Sequence, residues 1–159
     1  MSCVTDAILW VSPGGFRLGG PHWIAFQSGA PVRLLGPAHL ALIVEQYYHL
    51  TPTDDSGGSV RIGGYLYAFD DMAGREILAY HLHSEVGGAG FPHLHVGHGI
   101  VRAEVLERAG LSIAHNALRP EVAGAHLPTA IVSLIDVLRA AIEELGVQPQ
   151  RRDWRSILR

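Results

Sequence analysis

The stretch Ile77 to Gly99 reads ILAYHLHSEVGGAGFPHLHVGHG, and its reading decides the fold. Five of the chain's ten histidines fall in it: His81, His83, His93, His95 and His98. Side chains on a strand alternate between faces with a period of two. His81 and His83 therefore share one face, as do His93 and His95, while Leu78, Tyr80 and Leu82, and Leu94 and Val96, take the other. Each run has an apolar side to bury and an imidazole side to present. The segment Ser84 to Pro92, rich in glycine, is long for a tight hairpin but can reverse the chain. Antiparallel pairing with His83 opposite His93 sets His81 opposite His95. Four imidazoles then meet on one face, with cross-strand Cβ atoms roughly 4.5–5.5 Å apart.

Working outward, the preceding sequence repeats the same logic. Arg75 to His83 reads as a strand, Asp70 to Gly74 as a turn, and Val60 to Phe69 as another strand, with Tyr65, Tyr67 and Phe69 on one face. Ala38 to Leu50 fits both a helical stripe and an alternating strand. Tyr47-Tyr48 and the Thr51-Pro52 ending favour the strand, and its Glu45 can face the histidines. Between Ala7 and Pro37, short apolar runs alternate with Gly/Pro punctuation, the pattern of small strands and turns. His22 reads there as structural or surface. Arg102 to Ala109 is helix-like, and 111–125 has no clear period. The clearest helix starts at Ser133, which forms a Ser-x-x-Asp capping pair with Asp136. Leu134, Val137, Leu138, Ala141, Ile142 and Leu145 make its apolar stripe, and Gly146 ends it. The expected architecture is α+β: a single domain, 1–159, in which an antiparallel β-meander sheet carries a C-terminal amphipathic helix packed on one face.

Composition narrows the chemistry. The 159 residues suffice for one substantial core. No apolar run is long enough to span a membrane. The opening MSCVTD lacks the features of a signal peptide, and Cys3 is the only cysteine, so neither an intrachain disulfide nor a Cys-based zinc site can form. A cytoplasmic setting is expected. All twelve basic residues are arginine, which excludes Schiff-base lysine chemistry and a P-loop lysine. The net charge of −3 gives no general attraction to nucleic acid.

Imidazole is a common metal ligand and the usual acid or base near neutral pH. Two or three of His81, His83, His93 and His95, with Glu85 or His98, can hold a divalent ion, zinc first, with a position left open for water. Without metal, His83 and His95 with Tyr67 or Tyr80 can act as acid–base groups on RNA, whose own 2′-hydroxyl is the nucleophile. His126, in HLPT before the helix, is a further candidate. The competing expectation is a non-catalytic partner-binding module whose histidines are surface polar residues.

The stretches YLYAFDD, EILAYHLH, PHLHV, HLPT and GVQP with DW, across residues 60–159, resemble those of a family of small uncharacterised bacterial proteins. PHLHVGH also resembles the His-x-His-x-His strand of histidine-triad nucleotide hydrolases. Gly97 is inserted there, however, so His98 falls on the other face unless a bulge restores it. A looser similarity is to toxin–antitoxin proteins with a His-x-His strand. The last two resemblances imply RNA or nucleotide chemistry, while the first implies no particular activity. The expectation is a histidine-based hydrolase, with or without a metal, acting on a phosphodiester or nucleotide, the alternative an antitoxin-like module that binds a protein partner.

Overall fold

Eight strands form one antiparallel sheet: β1 (Leu9–Val11), β2 (Pro21–Phe26), β3 (Val32–Arg33), β4 (Ala41–Pro52), β5 (Gly58–Asp70), β6 (Glu76–Leu82), β7 (His93–Val96) and β8 (His126–Pro128). The computed structural model describes residues 1–52, 58–83, 91–97 and 126–159. Strand order is β1-β2-β4-β5-β6-β7-β8, with β3 paired to the start of β4. From β4 onward each strand pairs with the next described one, which is the expected meander. The ambiguous segment around 38–50 is the long strand β4, whose alternating Leu42, Val44 and Tyr48 are buried. The helix-like 102–109 and the segment 111–125 lie outside the described residues.

One face of the sheet is the core. Leu42 and Val44 of β4 stand opposite Phe69 and Tyr67 of β5, which stand opposite Leu78 and Tyr80 of β6. Leu78 and Tyr80 in turn face Val96 and Leu94 of β7. These residues make continuous apolar rows, and fully burying such a side chain contributes about 1.5–3 kcal/mol. Two helices follow, α1 (Leu134–Glu143) and α2 (Trp154–Ile157). The capping box is present: Ser133 Oγ accepts the Asp136 N–H, and the Asp136 carboxylate accepts the Ser133 N–H. The Ser133 hydroxyl, which also donates to this carboxylate, and then the Ser133 N–H hold the Asp136 carboxyl below its usual range. Just beyond the helix Gly146 takes φ +73°, a left-handed conformation suited to glycine. Val137, Leu138 and Ala141 are buried members of the same core cluster as Leu42, Phe69 and Leu78. No helix among the described residues is long and apolar enough to cross a membrane.

The register between β6 and β7 corrects the sequence expectation. His81, not His83, stands opposite His93, and His95 stands opposite Ala79. The two strands are slipped by two residues, which leaves every side chain on its expected face. In this register Leu78 (3% exposed) stands opposite Val96 (2% exposed). His83 consequently lies beyond the end of β6.

A second irregularity matters more for the site. Phe69 pairs with Leu78, but the next residue, Asp70, pairs with Glu76. Ile77 is therefore an extra residue on β6, a β-bulge. Both Ile77 and Leu78 are buried in the core. The bulge resets the alternation, so that Glu76 emerges on the face opposite its regular position, alongside the histidines.

Candidate metal centre

The non-core face of β6 and β7 gathers the imidazoles. His81 is the hub: its ring centroid lies 5.4 Å from that of His83, 5.4 Å from that of His93 and 5.7 Å from that of His95. His83 and His93 are 6.4 Å apart. All four predicted ligands are thus brought together. His81 Nδ1 and His83 Nε2 share a hydrogen bond at 3.3 Å. His93, 2% exposed, donates from Nδ1 to the Phe91 carbonyl at 2.9 Å. A carbonyl can only accept, so that bond places a proton on Nδ1.

Glu76 completes the cluster. Its carboxylate accepts a hydrogen bond from His95 Nδ1, and its second oxygen is 3.9 Å from His81 Nε2. Glu76, His81 and His95 each offer a donor atom, and these atoms all lie within 4.8 Å of one another. The group is half-buried, with side chains 18–29% exposed, so that water can reach it while its field is only partly screened. Asp70, paired with Glu76, adds negative charge behind it. Burial, then the nearby Glu76 and Asp71 carboxylates, push the Asp70 carboxyl above its ordinary value.

Other candidates fall elsewhere. Tyr67 lies on the core face, 1% exposed, stacked on Tyr65 at 4.8 Å. Its hydroxyl donates to the Gln46 side-chain oxygen, and burial raises its pKa far beyond the neutral range. It does not join the imidazoles, and neither do Tyr65 and Tyr80, which share its face. Tyr67→Phe should therefore leave metal affinity unchanged. It should cost about 1–3 kcal/mol in urea unfolding, because the Gln46 oxygen loses its donor in a part-buried place. A drop in metal affinity would return Tyr67 to the site.

Glu45 shares the histidine face but sits two strands away, in the row Glu45–Leu66–His81. At about 4.8 Å per strand it is roughly 10 Å from His81. The backbone of His126 pairs with that of His95, which sets residue 126 in the histidine row. Glu85 and His98 lie outside the described residues. His22 is structural: its Nε2 bonds the Arg17 carbonyl at 2.7 Å and its Nδ1 faces Ser12 Oγ at 3.4 Å, tying β2 to the preceding loop.

Glu76 is the residue that sequence reasoning missed. It precedes His81 by five positions, an odd offset that regular alternation assigns to the opposite face. Comparison with protein-family models, curated proteins and solved structures gives no match.

Proposed function

We propose that this protein binds a divalent metal ion, zinc first, through Glu76, His81 and His95, and hydrolyses a phosphodiester or nucleotide there. The observation that carries this reading is the convergence of one carboxylate and two imidazole donors within 4.8 Å. Two nitrogens and an oxygen suit zinc, and three protein ligands leave a fourth position open, as catalytic zinc sites require. When bound, such an ion lowers the pKa of its water to near 7 and so supplies a nucleophile at neutral pH.

The chain's own groups do the rest. His83 holds the His81 ring from Nδ1, which directs its Nε2 towards Glu76. Orienting contacts of this kind fix ligand tautomers in metal sites. His93 lines the cluster, with its ring held by the Phe91 carbonyl. The apolar stripe of α1 is taken to lie across the core face of the sheet. Its buried Val137, Leu138 and Ala141 then leave the histidine face to the ligand. A reducing, cytoplasmic setting fits a chain whose single thiol, Cys3, is buried.

A second reading has one observation in its favour. Trp10 (52% exposed), Trp23 (38%) and Tyr47 (50%) lie on the histidine side of the sheet. Exposed aromatics of this kind suit a non-catalytic binding face.

Metal analysis of protein purified without a His tag separates the two. About one zinc per chain is expected, as in a mononuclear site with these ligands. His81→Ala and His95→Ala should each abolish it. Hydrolysis of bis(p-nitrophenyl) phosphate should disappear on chelation and return with zinc. Protein that holds no zinc and hydrolyses nothing is instead a binding module.

A further inference from the structure

We infer that Gly97 is a positioning residue for the metal centre, a role that rests on the reading of Glu76 as its carboxylate. A Cβ built at Gly97 would stand 1.9 Å from the Glu76 carbonyl oxygen, 2.5 Å from the Glu76 carbonyl carbon and 3.2 Å from the Glu76 Cβ. All three atoms belong to one residue, and two of them are backbone, which cannot rotate aside. The Gly97 N–H also donates to the Ile77 carbonyl at 3.0 Å. Gly97 thus clamps the bulge in two ways. Its amide bonds the extra residue, and its bare Cα lets the Glu76 peptide lie against β7.

The consequence reaches the site through Glu76 alone. Any side chain at position 97 pushes the Glu76 backbone away by about 1 Å, the distance from 1.9 Å to the closest approach that real Cβ atoms make. The carboxylate moves with it, out of its place beside His95 and His81. Displacements of that size in a constellation of ligating groups cost on the order of 100-fold in function. The glycine between His-Leu-His-Val and His98 therefore serves the opposite strand: its missing side chain is what turns Glu76 to the histidine face.

The test is a double-mutant cycle read by zinc affinity and by imidazole NMR. Gly97→Ala should weaken zinc binding about 10–100-fold, the range for residues that act through a ligand. The double variant Glu76→Gln/Gly97→Ala should lose no more than Glu76→Gln alone, because both act through the same carboxylate. In metal-free protein, the His95 Nδ1–H signal should shift alike in Glu76→Gln and Gly97→Ala. In the wild-type protein, Gly97 Hα should show nuclear Overhauser contacts to Glu76, a measurement that does not depend on the variant folding. Wild-type zinc affinity in Gly97→Ala, additive losses in the double variant, or missing Gly97–Glu76 contacts would each overturn the inference. If the wild-type protein takes no zinc, the metal reading fails, while the His95 signal still decides the role of Gly97.

Discussion

Glu76→Gln is expected to lower zinc affinity by at least about 100-fold while moving the unfolding midpoint little. Glutamine is nearly isosteric and keeps an acceptor oxygen for the His95 N–H, so the local packing survives. The negative charge does not. A zinc ligand must be a full Lewis base, and the neutral amide oxygen is a far weaker one. The carboxylate is 29% exposed and lies on the histidine side of the sheet, across from the apolar rows. Competition against a chromophoric chelator measures the change. Two roles are open to a carboxylate hydrogen-bonded to a ligating imidazole: it can bind the metal itself, or it can orient the histidine from behind. Orienting carboxylates are worth 10–100-fold in affinity. A loss within that range moves Glu76 into the second role, and an unchanged affinity removes it from the site. His81→Ala serves as the reference, because His81 stands at the centre of the cluster in all three ring contacts.

Much of the scaffold is legible in the sequence because it follows two periods. Period two in Leu78, Tyr80 and Leu82 and in Leu94 and Val96 marks the buried side of β6 and β7, and so gathers His81, His83, His93 and His95 on the other side. The Ser133–Asp136 capping pair marks the start of α1 at the residue where it begins. What periodicity cannot carry is anything that changes the count. A slip of two residues between β6 and β7 preserves every face, so the pairing of His81 with His93 depends on which apolar residues pack best and leaves no trace in alternation. The Ile77 bulge does change a face, for one residue, and that residue is Glu76. Gly97 does signal an irregularity, but its own strand is not the bulged one. The glycine makes room for the bulge on the neighbouring strand, a relation between strands that a one-dimensional pattern does not record. Tyr67 shows the converse failure. Its alternation with Tyr65 and Phe69 is correct, but only the pairing of Tyr67 with Tyr80, rather than with His81, places it in the core.

Phe69→Ala should produce the largest loss of stability and still leave the Glu76–His81–His95 cluster intact. Phe69 is 1% exposed, between Leu42 on β4 and Leu78 on β6, in the middle of the apolar rows. Removing its ring takes away the transfer free energy of the buried atoms and leaves a cavity that a paired sheet cannot close. Phenylalanine-to-alanine changes in such places cost about 3–5 kcal/mol. Against a usual total of roughly 5–15 kcal/mol, that is a large fraction of the stability. With an m-value of about 2 kcal/mol per molar urea, the midpoint should fall by roughly 2 M at unchanged slope. Phe16→Ala is the control: that ring is 88% exposed, and its loss should stay within about 0.5 kcal/mol. The site reports separately, because a ligand that binds only the native state raises stability by an amount set by its affinity and concentration. Glu76, His81 and His95 lie on the far side of the sheet from the missing ring, and Gly97 still seats the bulge. Saturating zinc should therefore raise the unfolding free energy of Phe69→Ala by the same increment as that of the wild-type protein. An unfolding free energy within about 0.5 kcal/mol of wild type would mean that this face is not the core. A lost zinc increment would mean that the two faces of the sheet are not independent, and that the bulge is held by the aromatic ring beside it rather than by the glycine across from it.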